Sequence, residues 1–383
     1  MNGRRLWFVG IGGAGLSAYA QLARAWGAEV GGWDRVRTAY LAPLEGERIE
    51  IGDEPVVPDG WEAVVSSAYP SVPGMRRKEF LRELVAARRP SVAVSGSHGK
   101  GTTAAMIAWA LRETGRDPAW LIGAPVPQLG SNAGFGEGPL VVEADESDRT
   151  AFTLEPEIAV VTNLDLDHHS EYASTAELEA EFDRWLGGVP KVVRDAPPYA
   201  GELAVPGDHN RRNAGSALAA LELLGVPRDE AVAPLARFAG TGRRFEVHEL
   251  ADRTVVDDYG HHPTEVAAAI AAARERFPGR RVRVLFQPHL YSRTRHLADE
   301  FADALATADD VTVVDVYPAR EQPVPGVSGK LIVDRLSDRG VLAGWTPAVE
   351  QGAERLGRRA RPGDVLLVLG AGDVDRVVGM LGA

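Results

Sequence analysis

At 383 residues the chain is too long for one ordinary hydrophobic core, so two or three domains are expected. Its composition, 45% apolar and 25% charged, is that of a soluble globular protein, and a net charge of -12 argues against non-specific nucleic-acid binding. The absence of cysteine excludes disulfides, thiolate catalysis and cysteine-ligated zinc. No apolar run approaches the roughly 20 residues that span a bilayer, so no membrane insertion is expected. Arg4 and Arg5 precede only the short run Leu6-Trp7-Phe8-Val9, too brief for a signal peptide, which makes the cytoplasm the expected compartment.

That run reads as a buried strand. It leads into the turn Gly10 to Gly15, a helix from Leu16 to Trp26, and a second apolar stretch ending at Trp33-Asp34. Strand, glycine turn, helix and strand, with an acidic residue about 20 positions past the glycines, is the arrangement used for dinucleotides. A nicotinamide dehydrogenase is therefore one reading of this segment. A later strand is predicted over Glu62 to Ser66, and an amphipathic helix over Lys78 to Arg89, stopped by Pro90. A domain boundary is placed there.

The apolar run Ser91 to Val94 then opens into Gly96-Ser97-His98-Gly99-Lys100-Gly101-Thr102-Thr103, followed by a helical run Ala104 to Leu111. A glycine-rich turn before a helix points backbone N–H groups at phosphate while a lysine reaches the outer phosphates, so this is an ATP site. Two more short apolar runs, Leu140 to Glu143 and Ile158 to Val161, lead directly into polar segments, Ala144 to Asp148 and Thr162 to His168. Ligands of open parallel sheets bind beyond the carboxyl ends of the strands, which puts Glu143 and His168 on the phosphate edge.

The next clear helix is predicted from Asn210 to Leu224, ended by Gly225, with His209 and Asn213 four apart and so on one side. Ala239 to Gly242 reads as a joint. Beyond it, strands Thr254–Val256, Val282–Phe286, Val311–Val316 and Val365–Leu369 alternate with helices Thr264–Phe277 and Thr294–Ala306, and a last helix follows. Alternation of this kind specifies a parallel sheet covered by helices.

The phosphate loop, Glu143-Ala144-Asp145-Glu146-Ser147-Asp148 and Thr162-Asn163-(x)3-Asp167-His168, in that order, resemble the central ATPase domain of the Mur ligases, which build the peptide of bacterial peptidoglycan. Gly10 to Ser17, His209-Asn210-(x)2-Asn213-Ala214, Gly240 to Phe245 and Asp257 to Glu265 extend the resemblance over nearly the whole chain. The first and last of these are most similar to the members that join L-alanine to UDP-N-acetylmuramate. The resemblance implies an α/β protein of three domains: a Rossmann-like UDP-binding domain at 1–90, a central P-loop ATPase domain at 91–240 and a Rossmann-like C-terminal ligase domain at 241–383.

It also implies roles for particular residues. Gly12, Gly13, Ala14, Gly15, Asp34, Ser66 and Ser67 would hold the UDP-sugar, and Gly96 to Thr103 with Lys100 the ATP phosphates. Glu143 and His168 would bind Mg²⁺, and His209 and Asn213 the adenine. Arg243 and Arg244 would reach phosphate, Asp258, Tyr259 and His261 would face ATP ribose and the substrates, and Arg293 and Arg295 would meet the carboxylate of L-alanine. His169 and His262 are expected to be structural.

The pattern departs from the family in three places. Gly101 stands where phosphate loops carry a Ser or Thr whose hydroxyl touches Mg²⁺, and Thr102, about 100° further round a helix, does not replace it. No lysine lies between His168 and Lys191 to be carbamylated as in sister ligases, leaving Glu177, Glu179 and Glu181 as nearby carboxylates. The connections from Asp34 to Val65 and from Lys191 to Gly207 are abbreviated. A muramyl-peptide recycling ligase and a non-catalytic nucleotide-sugar-binding protein therefore stand as alternatives, and oligomeric state is not legible.

Overall fold

In the computed structural model, residues 1–166, 171–250, 252–319 and 321–382 are described. Among them are three β-sheets with helices packed between and around them. The chain divides into two compact units. One comprises Met1–Asp165, Thr175–Glu202 and Arg212–Phe238 and contains the first two sheets; the other, chiefly residues 239–382, contains the third.

The first sheet is built from β1 (Arg5–Val9), β2 (Glu29–Asp34), β3 (Arg48–Ile51), β4 (Glu62–Val65) and β5 (Met75–Arg76), all parallel, in the order β3-β2-β1-β4-β5. Strand order reverses between β1 and β4, and the crevice at such a reversal is where α/β sheets take ligands. Helix α1 (Ala14–Ala25) follows β1 and buries Leu16, Tyr19, Leu22 and Ala23; α2 (Arg77–Ala87) follows β5 and buries Phe80, Leu81, Leu84 and Val85. Apolar residues three and four apart form one stripe of a helix, and each fully buried Leu, Val or Phe in it stabilises the fold by roughly 1.5–3 kcal/mol.

The second sheet contains β6 (Ser91–Ser95), β7 (Ala119–Leu121), β8 (Ala133–Phe135), β9 (Leu140–Glu143), β10 (Ile158–Val161) and β11 (Lys191–Val193), in the order β11-β10-β6-β9-β7-β8. Strands β6, β9 and β10 are buried almost throughout, which is why they read as uninterrupted apolar runs. Helix α3 (Lys100–Glu113) starts at the lysine itself, four residues before the predicted apolar run, and α4 (Thr175–Leu186) lies between β10 and β11. Helix α5 (Asp208–Leu223) matches the predicted helix closely, and α6 (Arg228–Ala236) follows it.

The third sheet is β12 (Glu246–Glu249), β13 (Thr254–Asp258), β14 (Val282–Phe286), β15 (Asp310–Val313), β16 (Ala343–Trp345) and β17 (Val365–Leu369), ordered β12-β13-β17-β14-β15-β16. It is not wholly parallel: β12 pairs antiparallel with β13, as β8 does with β7 in the second sheet. Both are short edge strands next in the chain to the strand they pair with, and such neighbours can pair antiparallel without a crossover. Helix α7 (Pro263–Arg276) begins at the predicted proline. The helix expected over Thr294–Ala306 is two, α8 (Tyr291–His296) and α9 (Ala298–Leu305), because Leu297 leaves helical geometry at ψ 22. The strand expected to reach Val316 ends at Val313.

Candidate functional site

At the first sheet's ligand edge, Gly10 has φ +92, and a Cβ there would stand 2.8 Å from Ser66 Cβ, so the glycine turn and the end of β4 touch. Ser66 and Ser67 thus lie beside the glycine turn, Ser66 half-buried and Ser67 exposed. Gly13 caps α1 without a side-chain cap, and no acidic residue occupies the first turn. Helix-start amides in that state form an anion site.

Asp34 braces this turn. Only 8% exposed, it accepts Gly12 N–H at 2.7 Å through Oδ2 and Arg35 N–H at 2.7 Å through Oδ1. Both oxygens accept backbone N–H groups, so the residue fixes the shape of the glycine turn.

In the second sheet, Gly96 has φ +123, and a Cβ there would collide with Thr162 and stand 2.7 Å from Asn163 O. Gly99, at φ +80, caps α3 with the Asn213 amide against it. Each position requires glycine for conformation and for space. Ser97 N–H donates to Asn163 O at 3.0 Å and His98 N–H to Asn163 Oδ1 at 3.0 Å. These two amides, expected to meet phosphate, are tied to the end of β10, which leaves the first-turn amides of α3 for that task. Thr162 Oγ1 and Asn163 Nδ2 both donate to His98 O, at 2.6 and 2.8 Å, locking the loop from its other side.

Lys100 Nζ is held by Gly96 O at 2.7 Å, Ser97 O at 3.2 Å and Glu146 Oε2 at 2.8 Å. Burial works against its charge, but Glu146, Asp145 and Glu143 outweigh it and raise its pKa. Glu146 is 1% exposed, and burial pushes its carboxyl up to about 7 against the opposing pull of Lys100. Glu143, at the end of β9, accepts Gly123 N–H at 2.6 Å through Oε2. Its carboxylate lies beside Gly101 at the mouth of the loop, a hard oxygen donor of the kind Mg²⁺ takes together with phosphate oxygens. His168 lies outside the described residues, and among the described residues no three His, Asp or Glu side chains gather as a metal cage. Thr102 and Thr103 are both buried; Thr103 Oγ1 has no hydrogen-bond partner among the described residues.

In the third sheet's unit, the carboxyl ends of β13, β14 and β17 gather a second polar cluster. Asp258 is pushed up to about 6 by burial, opposed by Arg244 and by Gly260 N–H. Its oxygens accept Phe245 N–H at 2.8 Å and Gly260 N–H at 2.7 Å. Arg243 is bound to Asp257 at 3.1 Å, Gly370 O at 2.8 Å and Gly372 O at 3.3 Å. Asp258 and Arg243, expected at ATP, thus also join loops of this unit. Arg244 pairs with Glu265 at 3.1 Å, and its guanidinium lies 5.2 Å over the half-exposed Tyr259 ring.

Rings continue across the strand ends: Tyr259 to His261 at 5.4 Å, His261 to His289 at 5.7 Å, and His289 stacked on Tyr317 at 5.7 Å. His261 Nδ1 lies 3.0 Å from Tyr259 O and 3.3 Å from Glu265 Oε2. His262 caps α7, its Nδ1 accepting Thr264 N–H. Arg293 is 3% exposed and donates to His289 O at 3.3 Å, inside the cluster. Arg295, two residues on and so on another face of α8, points to solvent and does not join it. His209 lies by Gly207 at the start of α5, whose later turn carries Asn213.

Sequence reasoning passed over Asn163 as a loop lock, Tyr317 and Arg77. Asn163 lies within the segment Thr162 to His168, whereas Tyr317 and Arg77 sit in stretches with no local signal.

Comparison with known proteins follows the same layout. The Mur ligase middle domain matches residues 94–191, and the Mur ligase glutamate ligase domain matches residues 243–372. The chain is 39% identical to the UDP-N-acetylmuramate–L-alanine ligase of Chloroflexus aggregans, over 97% of this chain and 96% of that one. The crystal structure of the UDP-N-acetylmuramate-alanine ligase of Thermotoga maritima superposes with a TM-score of 0.78 at 26% identity, covering 98% of each chain. A murein peptide ligase from Psychrobacter arcticus shares the fold, with a TM-score of 0.63 at 22% identity over 99% of this chain and 98% of that one.

Proposed function

The chain belongs to the Mur ligase family, and from that premise we propose that it is an ADP-forming ligase joining L-alanine to UDP-N-acetylmuramate in peptidoglycan synthesis. The muramyl lactyl carboxylate takes the γ-phosphoryl group of ATP, giving an acyl phosphate and ADP. The amine of L-alanine then attacks the acyl carbon, phosphate leaves, and the ammonium proton is lost to solvent. Bound Mg²⁺ would supply charge neutralisation of the transferring group, with Glu143 as the described residue that fits it.

Lys100 carries this reading. It is a buried cation poised at the start of α3, already held by loop carbonyls and Glu146, and a phosphoryl group entering the loop exchanges those contacts for its own oxygens. The α3 first-turn amides add donors, and Arg244, His261 and Arg293 form the cluster we assign to the amino-acid side of the reaction. The glycine turn, Ser66 and Ser67 take the UDP-sugar. We place domain limits at 1–90, 91–240 and 241–383 and the protein in the cytoplasm; no helix among the described residues is long and apolar enough to cross a membrane.

Alanine is preferred to a preformed peptide as acceptor because the relative at 39% identity carries the alanine-ligase name, whereas the likeness to the peptide ligase is one of fold. ADP release with UDP-N-acetylmuramate, with and without L-alanine, is the test. Alanine-dependent ADP release is expected. Release only with L-alanyl-γ-D-glutamyl peptides would make it a recycling ligase, and UDP-sugar binding without any ADP would make it the non-catalytic protein that Gly101 suggests.

A further inference from the structure

The first sheet's anion site has a cation that no sequence pattern announces. Arg77, the first residue of α2, extends its guanidinium onto the start of α1: Cζ, Nε and Nη2 lie 3.4, 3.5 and 3.5 Å from where a Cβ on Gly15 would be. The atoms nearest the corresponding points on Gly10, Gly12 and Gly13 belong to Ser66, Tyr69, Asp34, Val36 and Gly10, none of them cationic. The Tyr19 hydroxyl accepts Arg77 Nε–H at 3.3 Å, and the guanidinium lies 5.6 Å from the centre of the Tyr19 ring. Burial raises the Tyr19 pKa, so the phenol stays neutral and orients the arginine without cancelling its charge. Both Nη groups have no hydrogen-bond partner among the described residues, and the residue is exposed.

A guanidinium fixed through Nε and open at both Nη groups presents the fork that grips paired phosphate oxygens. Here it lies along the side of α1 between Gly15 and Tyr19, next to the first turn, whose amides supply further donors and the positive end of a helix dipole. On its other side, Asp145 and Asp148, from the loop after β9, act on its charge, and Asp148 and Glu143 act on Tyr19. A dianionic substrate group brought to the glycine turn would be repelled by that acidic loop; a cation between them removes the conflict.

Resting on the ligase reading above, we propose that Arg77 binds the diphosphate of the UDP-sugar. It pins that group between the α1 N-terminus and the acidic loop of the ATP site, with Tyr19 as its positioning residue. Arg77 thereby sets how far the sugar reaches from the glycine turn towards Lys100.

The experiment compares wild type, Arg77→Ala, Arg77→Lys and Tyr19→Phe by titration calorimetry with UDP-N-acetylmuramate, UDP-N-acetylglucosamine, UDP and UMP, alongside KM for each substrate. Arg77→Ala should weaken the three diphosphates alike, by about 10- to 100-fold, the loss of one charge-assisted contact, and UMP much less. Arg77→Lys should lose less, Tyr19→Phe less again, and KM for ATP should stay within about twofold. Unchanged diphosphate binding in both arginine variants overturns the proposal, and so does a loss confined to UDP-N-acetylmuramate, which would assign Arg77 to the lactyl carboxylate. If Arg77→Ala does not fold, the lysine variant decides on the same criterion. Wild type that binds UDP through Arg77 yet releases no ADP defeats the ligase reading alone; alanine-dependent ADP release with UDP binding indifferent to Arg77 defeats this proposal alone.

Discussion

Glu143 Oε2 stands 3.1 Å from the point a Cβ on Gly101 would occupy, so the carboxylate fills the space where a threonine side chain would otherwise begin. The missing hydroxyl and the metal-site acid are thus neighbours. Gly101→Thr would place an oxygen donor directly beside Glu143, at the cost of moving the carboxylate by a few tenths of an ångström. We expect a lower Mg²⁺ concentration for half-maximal turnover in Gly101→Thr, read from ADP release across a metal titration. Gly101→Ala places the same Cβ beside Glu143 and gains roughly 0.5–1 kcal/mol of helix stability, more than threonine would, but adds no ligand. Equal gains in the two variants would make the effect one of backbone and not of metal.

The Lys100–Glu146 pair predicts a pH dependence for ATP. Burial pushes the Glu146 carboxyl up to about 7, so above that pH its carboxylate competes with phosphate for Lys100, and below it the competition fades. KM for ATP should therefore fall as pH drops through about 7, relative to Glu146→Gln, whose profile should be flatter. Parallel profiles for the two proteins between about pH 6 and 8 would show that the pair does not gate the nucleotide.

Arg293 and Arg295 should separate cleanly. Burial of Arg293 beside His289 and exposure of Arg295 mean that Arg293→Ala raises KM for L-alanine by about tenfold or more, while Arg295→Ala changes it by less than about twofold. Steady-state kinetics in L-alanine checks this, and comparable effects from the two would argue against the cluster as the amino-acid site.

Asp34→Ala strips the buried Gly12 amide and the part-buried Arg35 amide of their acceptor and should cost about 1–3 kcal/mol of stability. Thermal unfolding should show the loss, and calorimetry should show weaker UDP-sugar binding through a loosened glycine turn. Binding of NADH by the wild type, without binding of the UDP-sugar, would reverse the reading of this sheet.

The same carboxylate marks the line between what sequence and structure each contributed. Signals that are contiguous along the chain were legible: the loop from Gly96 to Thr103, the apolar runs of β6, β9 and β10, and Pro263 at the start of α7. A phosphate loop needs glycine where φ is positive and a helix directly after, and both demands are met by neighbours in sequence. Edge strands β8 and β12 were not legible, because their pairing direction depends on which strand they return to. Nor could sequence say which polar groups face outward and which are spent on the fold. Asp34, Asp258 and Arg243 have the right chemistry for ligands, yet their hydrogen bonds go to backbone groups and carboxylates of their own unit. Arg77 meets Gly15, and Glu143 meets Gly101, only once strands far apart in the chain lie in register. Residue type determined the available chemistry; the packing of sheets and helices decided which groups were left to perform it.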